Sequence, residues 1–396
     1  MTPFGLQPFS TMLVGSLPRT KTFLRLYRQL SAGEDVQEEF EAEIHRLNQY
    51  IMKFQADHDL DLFCSGHIPR YNYLCFVAEH LDGVSIMSMA DMLPYVEDKK
   101  GFETILQTLD VPAVAMENAI ATGKITRKKS FMAEEAGDLL KIGSYGHPLK
   151  VSLPGVYALT RSMWLAPLSG KFYDSKEDLG KAVIRIMQDE LQELAAAGVK
   201  YVQFDEPVLT EVVFSPGKTR TFMCAALAEK KDPAEELAWA TSMLKEVFAT
   251  VKELGLHGAL HVCRGNWSKD ESILLKGPYT PLVPLFEEVL PEALVLEFST
   301  PRAGELSSLF SSEILREKIC LGLGVCNPRT DEAESVESMV TRCEEALQYL
   351  PPDRLFLCPD CGFAPFANRP VNTYEGIGQK IDHMCAARDA LRAKYC

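Results

Sequence analysis

Hydrophobic and polar positions recur along the chain as one unit: a short aliphatic or β-branched run, a break rich in Gly, Pro or polar residues, and a longer segment with helical spacing. A compact apolar run followed by a 3.6-residue period predicts a strand followed by a helix. Eight runs read as strands, at 12–16, 61–66, 150–155, 201–205, 258–263, 293–299, 319–325 and 354–361. Four amphipathic helices stand out, at 176–197, 232–253, 335–350 and 373–394. In the first of these Leu179, Val183, Ile186, Leu191 and Leu194 fall near one face. Gly198, Gly255 and Pro351 act as stop signals for the first three.

Eight strand-helix units fold either as a closed α/β barrel, the (β/α)8 TIM barrel, or as an open doubly wound sheet. No Gly-x-Gly-x-x-Gly turn follows the first predicted strand, which favours the barrel. The spacing is uneven at one place. Residues 71–148, between the second and third strands, exceed what one helix requires and predict an insertion or lid, with an apolar helix-like part at 76–93 and a polar part at 124–135. No linker-grade Gly/Ser or Pro run divides the chain, so residues 1–396 read as a single catalytic domain with that insertion inside it.

Composition acts mainly by exclusion. Hydrophobic residues make up 46% of the 396 and charged residues 24%, ample for a large core. The formal net charge is -14, and the short run Arg127-Lys128-Lys129 offers no phosphate-tracking surface, which argues against nucleic acid as partner. No apolar run reaches membrane-spanning length, and the first residues lack a basic segment followed by an apolar one; a cytoplasmic protein with no membrane partner is the expectation. Eleven cysteines in such a chain predict free thiols or metal ligands rather than a disulfide framework.

The residues that carry chemistry sit at predicted strand ends. His261 and Cys263 end the fifth strand, where positions i and i+2 share a face, and imidazole plus thiolate is a zinc pair. Glu297 ends the sixth strand behind three aliphatic residues, and Cys361 ends the eighth. In a barrel these positions share one rim, the rim that supplies catalytic groups. A carboxylate buried as Glu297 would be needs a cation, either a metal or Arg264 or Arg302. His261, Cys263, Glu297 and Cys361 therefore form one candidate Zn2+ set. A second set replaces Glu297 by Cys358, giving a closed structural site or a Cys358-Pro359-Asp360-Cys361 redox pair. Cys358 lies inside the apolar run, where a small buried thiol is common, and this favours the first set. Asp205 and Glu206 close the apolar strand Tyr201-Val202-Gln203-Phe204 and so require a partner or a ligand. Gly265-Asn266-Trp267, after the metal pair, either lines a pocket or packs on the rim. His58, His80 and His383 fall on helical segments and carry no functional reading.

With these residues stand Val14-Gly15-Ser16-Leu17-Pro18-Arg19-Thr20, Glu79-His80-Leu81-Asp82-Gly83, Gln203-Phe204-Asp205-Glu206-Pro207 and Pro359-Asp360-Cys361-Gly362. In type, order and spacing the ensemble resembles the catalytic barrel of the cobalamin-independent methionine synthase family, over nearly the whole chain. The resemblance implies zinc on His261, Cys263, Glu297 and Cys361, with Asp205 on the amino group of homocysteine and backbone amides near Ser16 on its carboxylate. It implies methyl transfer to the thiol, which zinc coordination deprotonates from a free pKa of ~8.5. Full-length members of the family carry two tandem barrels; this chain resembles a short version holding the second alone.

Two departures bear on the substrates. Where the family places a glutamate in His-Gly-Glu, this chain reads Ser65-Gly66-His67, so His67 joins Asp205 and Glu206 as a substrate-binding candidate, and His67 and Asp205 are the catalytic candidates. Where the family's Tyr-Asp-Ile-His holds a histidine for the donor's proton, this chain reads Gly324-Val325-Cys326-Asn327-Pro328-Arg329. The folate-stacking tryptophan is displaced as well, with Arg161 near its place and Trp164 three residues on. The expected partners are a homocysteine-like thiol and a methyl donor that is either a methyl-folate or a methyl-corrinoid. Two other readings stay open: alkyl transfer to another small thiol such as coenzyme M, as in the related epoxyalkane transferases, and a non-catalytic zinc or redox protein using Cys358 and Cys361.

Overall fold

The computed structural model of the chain describes residues 4–95, 117–214, 232–266 and 268–396. Its strands, in chain order, are β1 (Phe63–Cys64), β2 (Leu81–Ser88), β3 (Glu117–Arg127), β4 (Leu149–Pro154), β5 (Tyr201–Asp205), β6 (His257–Val262), β7 (Ala293–Leu296), β8 (Cys320–Cys326) and β9 (Leu355–Pro359). Seven of them form one curled parallel sheet in the order β1-β4-β5-β6-β7-β8-β9, while β2 and β3 pair separately as an antiparallel ribbon. The predicted strands at 150–155, 201–205, 258–263 and 319–325 coincide with β4, β5, β6 and β8 to within one residue at each end.

The first predicted strand, 12–16, is not one; its ladder is reduced to bridges of Thr11 with Leu357 and of Met12 with Leu62. The reason lies in its carbonyls. Lys150 Nζ donates to Leu13 O at 2.7 Å, and Ser152 Oγ and Gln203 Nε2 each donate to Val14 O at 3.0 Å, so side chains take the acceptors a strand would use. Both sheet edges nonetheless bond to this segment: Met12 N–H donates to Leu357 O at 3.0 Å and Leu62 N–H to Thr11 O at 3.1 Å.

Strands β4, β5, β7, β8 and β9 are buried along their whole length, as parallel strands covered on both faces must be. One face packs on the helices. The other supplies a smaller cluster, including Phe4, Met12, Leu62, Tyr201, Val295, Phe356 and Cys358, around which the sheet curls. The four predicted helices are present as Lys176–Ala196, Pro233–Glu253, Val336–Ala346 and Tyr374–Tyr395. Each starts where Ser175, Asp232, Ser335 or Thr373 accepts a backbone N–H with its side chain.

The stretch between β1 and β4 departs from its sequence reading. The apolar helix expected at 76–93 is a 3-10 turn (Cys75–Glu79), strand β2 and one helical turn (Met89–Met92). The left-handed Gly83 (φ 76°) and β-branched Val84 and Ile86 suit a bulged ribbon better than a helix. The polar part at 124–135 is the end of β3 and the start of the helix Ala133–Ile142. Glu190 ties this stretch to the helix Lys176–Ala196: its buried carboxylate pairs with Arg127 at 2.7 Å and accepts the N–H groups of Phe131 and Met132 at 2.8 and 2.7 Å. No described helix is long and apolar enough to cross a membrane.

Candidate active site

The C-terminal ends of the parallel strands bring the predicted chemistry together. Asp205 is the last residue of β5, His261 lies near the end of β6 with Cys263 just beyond it, and Cys361 follows β9. The ligand atoms of His261, Cys263 and Cys361 lie within 4.8 Å of one another. Nδ1 of His261 donates to Val295 O at 3.0 Å, which fixes the tautomer and leaves Nε2 buried without a hydrogen-bond partner. A ring oriented by a backbone carbonyl, with its other nitrogen bare toward two sulfurs, is the arrangement of a metal-binding histidine.

The charges suit a cation. Cys263 is pulled down to about 5, first by its hydrogen bond with Cys361 and then by His261, against the opposing effect of burial. The same bond pushes Cys361 up. Burial disfavours the His261 imidazolium, but the neighbouring Cys263 outweighs this and raises the group overall. A thiolate, a thiol and an imidazole within 4.8 Å of one another form a donor set that a zinc ion fits.

Glu297, the fourth expected ligand, does not join this cluster. Its Oε2 lies 3.3 Å from Arg302 Nη2 and 3.7 Å from Arg264 Nη1, and its Oε1 lies 3.9 Å from Arg329 Nη1. The sequence offered a metal or an arginine as its cation; arginines stand beside Oε2, while Oε1 is buried without a hydrogen-bond partner. Cys358 also stands apart, in the cluster inside the curl of the sheet, so the alternative set with Cys358 is not assembled. Burial pushes its thiol up, and no disulfide is present among the described residues.

The metal-type triad opens on a cavity of about 670 Å³, mouth included, which is also lined by Ser16, His67, Tyr73, Asp205, Pro207, Asn266, Pro365 and Phe366. Asp205 is held by donors on both oxygens: Gln203 Nε2 reaches Oδ1 at 2.7 Å and Tyr73 Oη reaches Oδ2 at 2.8 Å. Gln203 is oriented in turn by Lys150, whose Nζ donates to Oε1 at 2.5 Å. Burial, with Arg70, Arg19 and Lys150 nearby, lowers His67 well below the usual histidine range, so its ring is neutral. His67 Nε2 is buried without a partner. The residue sits in the left-handed region (φ 55°), held there by Arg19 and by the Arg70 N–H on its carbonyl. Ser16 Oγ accepts from Ala364 N–H at 3.2 Å, and a Cβ on Gly362 would come within 2.2 Å of that oxygen, so only glycine fits after Cys361.

Glu206 is in a different place from the one expected. It does not line the cavity; its carboxylate accepts Tyr157 N–H at 2.8 Å and Ala158 N–H at 2.9 Å at the start of the helix Val156–Met163. Arg161 on that helix is paired with Glu211 at 3.1 Å. Asn266 lines the cavity as one of its sequence readings had it, whereas Trp267 lies outside the described residues. Sequence reasoning missed Tyr73 and the Lys150-Gln203 pair. A tyrosine in the loop after β1 carries no periodic signal, but a lysine inside an otherwise apolar strand run is an anomaly that asks for a buried acceptor.

Comparison with known proteins matches residues 173–374, just over half of the chain, to the family described as cobalamin-independent synthase, catalytic domain. The chain is similar to the 5-methyltetrahydropteroyltriglutamate–homocysteine methyltransferase of Candida albicans, 23% identical over 397 residues, which cover 99% of this chain and 43% of that protein. It is similar also to the methionine synthase of Saccharolobus solfataricus, 22% identical over 391 residues, with 97% and 96% covered. The chain thus spans less than half of the first relative and nearly all of the second. Among solved structures, a B12-independent methionine synthase from Shewanella sp. W3-18-1 in complex with selenomethionine superposes with a TM-score of 0.70 at 21% identity, over 98% of this chain and 99% of that one. At that identity the likeness speaks for the fold.

Proposed function

This chain belongs to the family of cobalamin-independent synthase catalytic domains, and from that premise we propose that it methylates the thiol of homocysteine to give methionine, with a methyltetrahydropteroyl-glutamate as donor. The observation that carries this reading is that His261, Cys263 and Cys361 open on the same cavity as Asp205. One end suits a sulfur, the other an ammonium. With it goes the reading of the curled sheet and the Thr11–Met12 segment as a (β/α)8 barrel, and of residues 71–148 as an insertion that brings Tyr73 to the cavity.

The residues that would hold zinc are His261, through its bare Nε2, Cys263 and Cys361, with Glu297, whose Oε1 is also buried without a hydrogen-bond partner, as the fourth candidate. Zinc, when bound, supplies deprotonation of a thiol that would otherwise be mostly protonated at neutral pH. The remaining work falls to the chain's own groups. Asp205, its two oxygens fixed by Tyr73 and Gln203, accepts from the substrate ammonium, and neutral His67 offers Nε2 beside it. Pro207, Pro365 and Phe366 keep water from the sulfur. The sulfur–carbon bond forms as the donor's carbon–nitrogen bond breaks and the leaving nitrogen takes up a proton from water, which balances the proton the thiol gives up; holding the reactants in line supplies a large part of the acceleration, of the order of 7–11 kcal/mol in well-oriented systems.

Among the described residues lining the cavity there is no lysine or arginine, while Asp205 is one of them. A sulfonate thiol such as coenzyme M finds no counter-charge in that lining, which favours an aminothiol. The names of the relatives carry a methyltetrahydropteroyl donor, and nothing supports a corrinoid in its place.

The test is methionine formation by the purified protein from homocysteine and methyltetrahydropteroyl-triglutamate, with coenzyme M as parallel acceptor. We expect product with homocysteine alone, lost after chelation and restored by zinc. A comparable rate with coenzyme M would refute the acceptor, and no product from a zinc-loaded protein would refute the activity.

A further inference from the structure

We propose that His67 selects the acceptor by its carboxylate: the ring nitrogen Nε2 donates to the α-carboxylate of the thiol substrate, while Asp205 takes the ammonium. The inference rests on the reading of the chain as a homocysteine methyltransferase and says which substrate charge each wall of the cavity holds.

His67 is buried and lines the cavity together with Gly15 and Ser16. Its ring comes so close to Gly15 that a Cβ there would lie 2.7 Å from Nε2, and that nitrogen has no hydrogen-bond partner. The ring centre is 5.8 Å from that of Tyr73, whose hydroxyl donates to Asp205 Oδ2. His67 thus stands one side chain away from Asp205, on the side of Gly15. Its backbone is in the left-handed region (φ 55°), where a histidine is strained, and it is kept there by the Arg19 guanidinium and the Arg70 N–H on its carbonyl. Strain retained at a cavity wall, beside a bare nitrogen, marks a group placed for a ligand.

Charge decides which substrate group belongs there. Behind His67 stand Arg19, Arg70 and Lys150, all buried, and all three act against a proton on the ring. Their hydrogen bonds go to uncharged acceptors: Arg19 donates to Ala364 O at 2.7 Å, Arg70 to Ser152 O at 2.6 Å, and Lys150 to Leu13 O at 2.7 Å. Arg70 Nε and Nη1 are buried with no partner at all. Glu135 offsets Arg70 in part, but neither of its oxygens makes a hydrogen bond and burial pushes it up to about 7. The field at His67 is therefore positive and, in a buried site, weakly screened. It repels an ammonium and attracts a carboxylate, and the neutral ring supplies the N–H that points the carboxylate. Homocysteine satisfies both walls at once, because its ammonium and carboxylate share one carbon. Coenzyme M brings an anion without an ammonium and gives Asp205 nothing to accept from.

The experiment measures, by calorimetry on the zinc-loaded full chain, the affinities of homocysteine, of 3-aminopropane-1-thiol, which lacks the carboxylate, and of 4-mercaptobutanoate, which lacks the ammonium. We expect His67→Phe to weaken homocysteine and 4-mercaptobutanoate about tenfold or more, the loss of one hydrogen bond to a charged group, and to leave 3-aminopropane-1-thiol within about twofold. His67→Gln, which keeps an N–H donor, should hold all three within about threefold of the wild type. His67→Glu should reverse the preference, weakening 4-mercaptobutanoate most and tightening 3-aminopropane-1-thiol. A loss in His67→Phe that falls on 3-aminopropane-1-thiol and spares 4-mercaptobutanoate would assign His67 to the ammonium and overturn the inference alone, as would an equal loss, or none, on all three. Should His67→Phe fail to fold, the order of the three thiols on His67→Glu decides by the same criterion. A zinc-loaded wild type that binds none of the three overturns the acceptor reading and the inference with it.

Discussion

Lys150 is fully buried, and its ammonium donates to Gln203 Oε1 and Leu13 O, so the amide of Gln203 must present its NH2 to Asp205. Without the lysine the amide is free to turn its oxygen toward the carboxylate. Losing one such bond costs about 1–1.5 kcal/mol, so Lys150→Met should raise KM for homocysteine roughly tenfold with little change in kcat. A fall in kcat at constant KM would show that Lys150 acts elsewhere. The metal triad makes a sharper contrast: Cys361→Ser should weaken zinc binding by roughly 100-fold or more, whereas Cys358→Ser, inside the curl of the sheet, should leave it intact. Equal loss in both, by elemental analysis, would return Cys358 to the site. His261, Cys263, Cys361 and Asp205 were legible in the sequence because each sits at a strand end, where a polar residue after an apolar run signals the rim. The arginines around Glu297 were legible only in part. Arg264 and Arg302 are near enough in sequence to be considered, but Arg329 arrives from another loop and only the folded chain brings it there.

Within the elements, the helix Val156–Met163 starts on a carboxylate instead of a cap of its own. Glu206, following β5, accepts the N–H groups of Tyr157 and Ala158, and Gly155 makes room for it: a Cβ there would lie 2.1 Å from the Glu206 carboxyl carbon. Burial pushes Glu206 up from 4.5 to about 8, the two backbone donors pulling the other way. A carboxyl group raised in the folded state binds more protons there than when unfolded, so its contribution is complete below pH 4.5 and is lost as pH rises through about 8. The slope from this one group is at most about 1.4 kcal/mol per pH unit. Asp360, raised to about 6, and Glu135, raised to about 7, both chiefly by burial, add slopes of the same sign. The difference between wild type and Glu206→Gln isolates the first: the melting temperature of the variant should fall less between pH 5 and 8. Parallel curves would mean that Glu206 does not titrate there. The sequence identified Glu206 as a buried carboxylate but not its partner, since a helix N-terminus one strand away leaves no mark on the local pattern. The same limit explains β2, whose apolar residues fit a helical period as well as a strand until its partner β3 is in place.

At the scale of the molecule, eightfold repetition in the sequence announced a ring, while the parallel sheet of the described residues has seven strands and a seam. The seam is the Thr11–Met12 segment, bonded to Leu357 on one side and Leu62 on the other. Its reduction to bridges was not legible, because the side chains that take its carbonyls, Lys150, Ser152 and Gln203, come from β4 and β5. What fastens the seam is Asp61. Its Oδ2 accepts Thr11 N–H at 2.8 Å and Thr11 Oγ at 3.0 Å, and the carboxylate also pairs with Arg388 and Arg392 of the helix Tyr374–Tyr395, each at 3.1 Å. One side chain thus joins the first segment, the approach to β1 and the last helix. Burial acts against the charged form of Asp61, but the Thr11 N–H and the two arginines outweigh it and hold the carboxylate below its ordinary range. Its contribution is therefore present above the unfolded pKa of about 3.8 and lost as pH falls further. Asp61→Ala removes the acceptor of four donors at once, a network loss of roughly 2–4 kcal/mol. The amides of Leu62 and Leu357, which bond to the seam, should then exchange with solvent well before those at the centre of β5 and β6. Uniform acceleration across all strands would mean that the seam has no separate opening and that the sheet unfolds only as a whole.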